Sequence, residues 1–408
     1  MTQKTRTFHY MLITGGFWMA FCVITAYAAV YLQGVGCTNS ELGIILALGN
    51  VGGALLSPVL GAAIDRNRKL RHAQVVNALL AAQAALLLVL LLRPRHDLLT
   101  AACYVLYMSA LLPVNAVNLD MDVRLARAGA PLNFGLARSM GSMAYVVFST
   151  LLGVLTAQWG FGVLPYAGLA VILFQFFGNR LIDRDLREAE ANAPQSAQAA
   201  AQETSSSLAG FIRENGTFCL MLFGTIFLFI AHNMDGNFLI NEIRNLGGDT
   251  AIMGYVAAFT AIVEVPVMIF ASRLPKRWGT VQYIRLSFVF FVLKILAYAL
   301  APTLPLFFAA RVLQAPSYAL YTVLIVGYAD SVVAQKDSAK AQSLAFSMTT
   351  VGSVLASLIG GAMFDTAGVR ATMLFAAGIA FVGMVTALAG TVREGKRMKN
   401  EKRKIKNE

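Results

Sequence analysis

Charged residues are scarce in this chain of 408 residues. Only 13% of its residues are Asp, Glu, Lys or Arg, whereas 57% are hydrophobic and the mean hydropathy is +0.64. Soluble domains carry about a quarter charged residues, so the composition excludes a soluble globular protein. The sequence therefore predicts a polytopic membrane protein.

Cysteine and enzyme motifs are also lacking. The four cysteines, Cys22, Cys37, Cys103 and Cys219, show no CxxC spacing, and only Cys37 falls in a predicted outer loop. We therefore expect neither a disulfide framework nor a metal site. The chain has no Walker loop, no HExxH motif and no nucleophile elbow, so we do not expect an enzyme.

Apolar runs of membrane-spanning length make up most of the chain. Each is near the roughly 20 residues that a helix needs to cross a bilayer. The runs are 11–33, 41–64, 73–92, 98–118, 134–157, 161–181, 213–240, 251–272, 284–301, 304–329, 340–364 and 370–392. We predict an all-α protein with twelve transmembrane helices, the first of which is too long for a cleaved signal peptide.

Lys and Arg concentrate in alternate loops. If the N-terminus is cytoplasmic, the outer loops hold only Arg93, Arg95, Arg244 and Arg370. The positive-inside rule then predicts that both termini are cytoplasmic and that the protein is a multi-pass protein of the inner (cytoplasmic) membrane. The net charge of +12 is mainly a topology signal, so we expect the lipid bilayer rather than nucleic acid as a partner.

A polar segment at 183–210, rich in Ala, Gln and Ser, divides the chain and is typical of a cytoplasmic linker. It separates an N-terminal six-helix half, 1–182, from a C-terminal six-helix half, 211–392, which a basic cytoplasmic tail follows at 393–408. Weak similarity between the fifth spans of the two halves supports a duplication. Two six-helix halves around a central path are an architecture of secondary transporters.

One carboxylate, Glu264, lies in the middle of an apolar run. It is ten residues from Gly254, or roughly 15 Å at about 1.5 Å per residue, which places it near the bilayer midplane. A charge there costs at least about 2.5–3.5 kcal/mol on insertion scales, so it should face protein or a wet cavity. We predict that Glu264 belongs to a functional site and that Pro266 kinks the helix beside it.

Polar side chains recur at helical spacing in several other spans. Their amides, hydroxyls and rings suit a polyhydroxylated or nucleoside-like solute, because each solute hydroxyl needs a partner when it leaves water. Hydrogen bonding between helices is the alternative role for such residues. The faces include Asn118 in span four, Arg138 in span five, His232, Asp235 and Asn237 in span seven, and Arg311, Gln314 and Tyr318 in span ten.

The intramembrane charges nearly balance. Two acidic residues, Asp235 and Glu264, are matched by two basic residues, Lys294 and Arg311. We therefore predict a buried charge network that is either a structural set of ion pairs or the proton-coupling machinery. His232, three residues before Asp235, is either a hydrogen-bond partner or a proton carrier.

The loop after span two carries a family signature. Its residues Gly61-Ala-Ala-Ile-Asp65-Arg66-Asn-Arg68-Lys69 resemble the G-x-x-x-D-R-x-x-R/K motif of the major facilitator superfamily. The resemblance implies a gate motif, in which Gly61 allows close helix approach and Asp65 with Arg66 and Arg68 latches the cytoplasmic gate.

Further residues resemble the lactose-permease group of sugar–proton symporters. Phe134-Gly-Leu-Ala-Arg138-Ser-Met-Gly141 is similar to the opening of that group's fifth span, and Glu264, Lys294 and Arg311 match its charged residues in spans eight, nine and ten. The resemblance implies that Arg138 and Glu264 hold sugar hydroxyls and that Glu264 also couples to the proton. Arg138 could instead form half of a gate bridge. The stretch Glu264-Val-Pro-Val-Met268 is similar to sugar efflux transporters.

This chain departs from that group in span ten and span eleven. Gln314 and Ser317 stand where the group has its proton-coupling His and Glu, and about Thr349 stands where it has a lysine. The proton route of the lactose-permease group is therefore incomplete here.

We predict a secondary active transporter that moves a sugar, an oligosaccharide or a nucleoside-like solute by alternating access, with the proton gradient as energy source and no cofactor. The coupling ion could also be Na⁺. Proton-driven efflux of sugars or drugs is the alternative, and a membrane enzyme or a transport-dead sensor is a remote one. We expect a monomer. The residues expected to bind the solute are Asn118, Arg138, His232, Asn237, Glu264, Gln314 and Tyr318.

Overall fold

The structure is a computed structural model that describes residues 2–67, 70–191, 207–270 and 278–407. These residues form helices and short connections, and no strand occurs among them. Within these ranges, eleven helical segments are long and apolar enough to cross a membrane. The predicted all-α membrane fold is therefore confirmed, whereas the count of twelve spans stays a prediction.

The chain divides into two compact units. Residues of Met1–Ala201 and of Gly247–Ala261 belong to the first unit. A single turn of π-helix, Cys22–Ala26, joins the first two of its helices. The helices are α1 (Gln3–Phe21), α2 (Ala28–Gly34), α3 (Asn39–Arg66), α4 (His72–Leu92), α5 (Leu98–Ser109), α6 (Leu111–Arg127), α7 (Phe134–Trp159) and α8 (Val163–Ala191).

The second unit consists of residues of Gln202–Leu246 and of Ile262–Glu408. One helix, Thr250–Phe270, contributes its first part to the first unit and its last part to the second. The helices from this point on are α9 (Leu208–Glu214), α10 (Gly216–Asn245), α11 (Thr250–Phe270), α12 (Gly279–Leu300), α13 (Leu304–Arg311), α14 (Leu320–Val332), α15 (Ser338–Thr366) and α16 (Gly368–Asn407).

Short polar side chains mark the starts of several helices. Thr38 Oγ1 accepts a hydrogen bond from the Glu41 backbone N at 3.2 Å, and Glu41 Oε2 accepts one from the Thr38 N at 2.8 Å. This capping box satisfies two backbone donors that the first turn of α3 leaves free. Asp97 and Asn133 begin α5 and α7 in a similar way, each accepting a backbone N–H of the first turn.

Glycines bring α10 and α16 together in the second unit. A Cβ added to Gly224 would lie 2.4 Å from the Ala387 backbone N, and one added to Gly390 would lie 2.5 Å from the Met221 N. Contacts this short exist only because these residues lack side chains. Small residues stabilise helix pairs in membranes in this way, since close backbone approach increases van der Waals contact.

In the first unit, α7 and the start of α11 also meet at backbone distance. A Cβ on Gly153 would lie 2.9 Å from the Gly254 Cα, and one on Gly254 would lie 2.6 Å from the Ser149 carbonyl oxygen. The Tyr27 hydroxyl donates to that same carbonyl oxygen at 2.6 Å. Tyr27 therefore stabilises the crossing of α7 with α11.

Helix α8 continues past the expected start of the linker at residue 183. Two acidic side chains near its end are held within the first unit: Asp185 Oδ2 lies 2.6 Å from His9 Nδ1, and Asp183 Oδ2 lies 2.6 Å from Arg187 Nη2 and 3.5 Å from Arg71 Nη1. These contacts keep the chain helical to Ala191. The rest of the predicted linker up to residue 206 lies outside the described residues.

The predicted gate motif is described only in part. Helix α3 contains Gly61 and ends at Arg66, whereas Arg68 and the side chain of Asp65 lie outside the described residues. A Cβ on Gly61 would meet no atom within 4 Å among the described residues. The described residues therefore show no close helix approach at Gly61, and the gate motif stays a prediction.

The observed helix kink lies in α10 and not at the predicted position beside Glu264 in α11. Helix α11 remains helical through Pro266 to Phe270. In α10, by contrast, Phe238 has non-helical dihedral angles, φ −117° and ψ 19°. The kink in α10 lies directly after the predicted site residue Asn237 and therefore bears on the site.

Candidate functional site

Lys294 is the centre of a hydrogen-bonded chain inside the second unit. Helix α12 places its side chain where 0% of it is exposed. The Nζ atom lies 3.0 Å from His232 Nδ1 on α10 and donates to Gln314 Oε1 at 2.9 Å. It also lies 4.7 Å from the centroid of the Phe291 ring. A buried ammonium group thus has polar partners on two neighbouring elements and a cation–π contact on its own helix.

Gln314 extends this chain to the carboxylate that the sequence singled out. Its Nε2 donates to Glu264 Oε1 at 2.8 Å, while its Oε1 accepts from Lys294. The four residues Glu264, Gln314, Lys294 and His232 form one continuous chain, which we call the Lys294 chain. Gln314 can bridge an anion and a cation because its amide carries both a donor and an acceptor.

Asp235 and Arg311 form a separate buried ion pair. Arg311 Nη2 donates to Asp235 Oδ1 at 2.6 Å, and Nη1 donates to Oδ2 at 2.8 Å. The guanidinium carbon lies 4.1 Å from the ring centroid of Tyr298 and 4.4 Å from that of Phe307. The two-pronged geometry and the aromatic rings lower the cost of burying both charges.

The backbone around these residues is not regular α-helix. After α13 the chain forms a 3₁₀ turn, Val312–Gln314, and then a turn of π-helix, Ala315–Ala319, before α14 begins. Pro316 lacks a backbone N–H, and Ser317 Oγ donates to the Leu313 carbonyl oxygen at 2.7 Å. Such π-helical turns are rare and are frequent at functional sites.

Aromatic rings line one side of the Lys294 chain. The Tyr318 ring centroid lies 4.5 Å from that of His232, and the Phe229 ring lies 6.0 Å from His232 and 6.2 Å from Tyr318. An aromatic face beside charged and amide groups can contact the apolar face of a sugar or a base, while the polar groups bind its hydroxyls.

The remaining predicted site residues make other contacts. Asn237 Nδ2 donates to Ser357 Oγ at 3.0 Å, which links α10 to α15. Asn118 belongs to the first unit; its carbonyl oxygen accepts from the Tyr10 hydroxyl at 3.0 Å, and its buried Oδ1 has no hydrogen-bond partner in the described part of the chain. Arg138, also in the first unit, lies 4.5 Å from the centroid of the Trp18 ring.

The hydrogen bonds sort the predicted charge network into two sets. His232 contacts Lys294, although its sequence position suggested a role beside Asp235, and Asp235 instead holds Arg311. In the first unit, Asp120 Oδ2 lies 2.5 Å from His72 Nε2 and 3.0 Å from Arg124 Nε.

One buried acidic residue was missed in the sequence. Glu242 lies on α10, only 3% exposed, seven residues after Asp235. The apolar run predicted at 213–240 ends before Glu242 and so places it in an outer loop. The spacing could have identified it, because residues seven apart share a helix face.

Three possible metal ligands meet near the start of α3, where no metal site was expected. Each of three residues, Cys37, Glu41 and His96, offers one possible ligand atom, and these three atoms lie within 4.8 Å of one another. Glu41 already caps α3 and lies 3.0 Å from His96 Nε2. Burial, with a smaller contribution from Glu41, raises the pKa of the Cys37 thiol to about 11, so it is protonated at neutral pH. A metal would have to displace the thiol proton and compete with the contacts that Glu41 already makes, so we assign no metal to this cluster.

Sequence comparison places the chain in a family. The profile of the MFS_1 like family matches residues 10–375, which is most of the chain. The chain belongs to this family. The resemblance to the major facilitator superfamily is thereby confirmed, and the protein is a membrane transporter of a small solute rather than an enzyme.

Named relatives and solved structures agree with that assignment. The chain is 26% identical over 381 residues to the maltose permease of Geobacillus stearothermophilus, covering 92% of each chain. It is 26% identical to a candidate sugar efflux transporter of Deinococcus radiodurans, covering 89% of this chain and 92% of the relative. The crystal structure of the nucleoside transporter NupG aligns with a TM-score of 0.70 at 14% identity, over 96% of this chain and 99% of NupG. That last likeness concerns the fold alone.

Proposed function

We propose that this protein moves a small polyhydroxylated solute (a sugar, an oligosaccharide or a nucleoside-like compound) across the inner membrane by alternating access, coupled to proton movement. Relatives named maltose permease and sugar efflux transporter support the sugar class. The observation that carries the proposal is the Lys294 chain, a buried donor–acceptor array beside an aromatic ring.

The topology we propose has twelve spans and cytoplasmic termini. Helix α8 supplies the sixth span, since its length of 29 residues exceeds what a bilayer requires. The scarcity of Lys and Arg in alternate loops supports the cytoplasmic position of both termini. We also propose that the protein acts as a monomer.

Solute binding acts through Gln314 in this proposal. Gln314 holds both Glu264 and Lys294, so a solute hydroxyl that bonds to either one takes the place of its amide. The Glu264 carboxylate accepts from solute hydroxyls and Lys294 donates to solute oxygens. Tyr318 offers its ring to the apolar face of the solute. The array discriminates against solutes without hydroxyls, because they leave buried polar groups unpaired.

Proton coupling follows from the same exchange of partners. Glu264 is ionised while Gln314 and the nearby Lys294 stabilise it, and it binds a proton when those contacts are lost. The Asp235–Arg311 pair is the second candidate for proton exchange within this proposal, since both groups are buried and charged. The proton gradient is then the energy source, and no cofactor takes part.

The test uses purified protein in liposomes that contain a pH-sensitive dye. Disaccharides, nucleosides and cationic dyes are added outside in turn, and the internal pH is recorded. We expect acidification with one hydroxylated solute class in the wild type, none with Glu264→Gln, and wild-type acidification with the control Glu214→Gln, which alters an exposed carboxylate on α9. Full solute-dependent acidification by Glu264→Gln would refute the role of Glu264.

Export is the second candidate, favoured by the sugar efflux relative. The same liposomes distinguish it. Acidification of the interior when the solute is trapped inside with protons outside indicates exchange of internal solute for external protons and hence efflux, whereas outward symport makes the interior alkaline. Solute movement that follows a Na⁺ gradient and leaves internal pH constant would replace the proton by Na⁺ as the coupling ion.

A further inference from the structure

Glu242 is a buried carboxyl group for which the described structure provides no hydrogen bond. Its side chain is 3% exposed near the end of α10, and neither Oε1 nor Oε2 has a hydrogen-bond partner among the described residues. Buried carboxylates are normally paired or accept several hydrogen bonds, because removing a charge from water is costly. A carboxyl group in this position therefore needs a proton or another cation.

A cavity of about 230 Å³ lies against this carboxyl group. It is enclosed by the last residues of α10 and α12 and by the first residues of α13 and α16. The polar side chains on its wall are Glu242, Asn245, Tyr298 and Arg370. The volume holds several water molecules next to the Glu242 side chain, and these are the source of protons in the proposal below. Under the topology proposed above, this end of the second unit faces the outside.

The charges around Glu242 do not balance. Asp235, on the same face of α10, and Glu242 are both acidic, whereas Arg311 on α13 is the one buried cation close to both among the described residues. Both terminal nitrogens of Arg311 already bind Asp235. Arg370 on α16 and Arg244 on α10 are exposed, so water screens their charges. One negative charge is in excess.

Two further polar atoms near Glu242 lack partners. The Tyr298 hydroxyl on α12 and Arg311 Nε are buried and form no hydrogen bond within the described residues. Both can donate, and the hydroxyl can also accept. A protonated Glu242 supplies the donor that Asp235 or the Tyr298 oxygen accepts, whereas an ionised Glu242 adds a second carboxylate to a space that contains one guanidinium.

We propose that Glu242 is a proton-binding site on the cavity side of the Asp235–Arg311 pair. A hydronium ion in the cavity gives its proton to a Glu242 oxygen and leaves as water; release is the reverse step. The bound proton is shared with Asp235, and Arg311 keeps the remaining charge neutral. The role of Glu242 as the entry point for the coupling proton depends on the proposed function. The protonation of its carboxyl group does not.

Infrared spectroscopy of the purified protein tests the protonation directly. The carbonyl stretch of a protonated carboxyl group is distinct from the bands of carboxylates and amides. At neutral pH we expect one such band to be lost in Glu242→Gln and retained in the control Glu214→Gln. Asp235→Asn should also remove it, because Arg311 then pairs with an ionised Glu242. Identical spectra of wild type and Glu242→Gln at every pH would overturn the proposal.

The effect of Na⁺ on the infrared band shows whether Glu242 binds a proton or a metal cation. We expect the band to be the same in sodium chloride and in choline chloride. If sodium abolishes it, the site binds Na⁺ and the proposal is wrong. In liposomes, Glu242→Gln should lose solute-driven proton movement and retain exchange of labelled for unlabelled solute. Absence of proton movement in the wild type refutes the proposed coupling, while the infrared band still decides the protonation of Glu242.

Discussion

Arg311 binds both oxygens of Asp235, at 2.6 and 2.8 Å, inside the second unit. Neither side chain is more than 4% exposed, so water contributes little to stabilising either charge. The main energetic consequence of losing one partner is therefore the unpaired charge that stays buried. Breaking a buried pair by removing one partner costs about 3–5 kcal/mol, because the other charge stays buried.

The two partners should not be equivalent in mutagenesis. Arg311→Gln leaves Asp235 and Glu242 together without the cation that interacts with both of them, so we expect it to lower the thermal midpoint of the purified protein by several degrees. Asp235→Asn leaves Arg311 next to Glu242 and should lower it less. The double variant should be more stable than Arg311→Gln alone, since it removes both members of the pair. Equal losses for the two single variants would contradict the role of Glu242 as a substitute partner.

Gln314 is the residue through which we expect solute binding to act. Gln314→Met has a similar volume but removes the bonds to both Glu264 and Lys294. Each polar group left unpaired in the solute-free protein costs about 1–3 kcal/mol, and the solute no longer has to displace the amide, so solute affinity should rise by about tenfold or more. The control is Ser317→Ala, because Ser317 bonds only backbone carbonyl oxygens of its own turn. Binding measured by calorimetry should be near wild type in the control.

The sequence predicts single residues of this site better than their pairing. Glu264, Lys294 and Arg311 stand out because charges in apolar runs are costly and therefore rare. Helical spacing assigns a residue to a face of its own helix, but it does not specify which neighbouring helix provides the partner. For that reason His232 could be placed beside Asp235 in sequence, whereas in the structure it contacts Lys294.

Local departures from regular helix limit the sequence prediction in the same region. The π-helical turn at Ala315–Ala319 shifts the helical periodicity between Gln314 and α14. A prediction that assumes 3.6 residues per turn throughout does not include this shift. The sequence prediction misses Glu242 because the polar residues after residue 240 indicate a helix end there, whereas α10 continues to Asn245. By contrast, the membrane-spanning helices could be predicted, since runs of about 20 apolar residues are enough to identify them.

The glycine contact between α10 and α16 predicts a position-specific effect on stability. Gly224→Ala places a Cβ 2.4 Å from the Ala387 N, so the helices must separate, and overpacking of this kind costs typically about 1–3 kcal/mol. Gly378→Ala on α16 meets no atom within 4 Å and should be neutral or stabilise by up to about 1 kcal/mol, because alanine favours helix. Thermal midpoints of the two purified variants test the contrast. A lower midpoint for Gly378→Ala than for Gly224→Ala would refute it.

The close approach at Gly254 predicts a loss of transport. Helix α11 carries Glu264 six residues before its end at Phe270. It is held against α7 at Gly254, where a Cβ would lie 2.6 Å from the Ser149 carbonyl oxygen. Gly254→Val should displace the helix and thereby the Glu264 carboxylate from Gln314. We expect a folded protein by size-exclusion chromatography with solute exchange at least about tenfold slower, since 1.4 kcal/mol suffices for that factor. Gly162→Ala, which meets no atom within 4 Å, is the control. Wild-type exchange by Gly254→Val would show that this contact does not position Glu264.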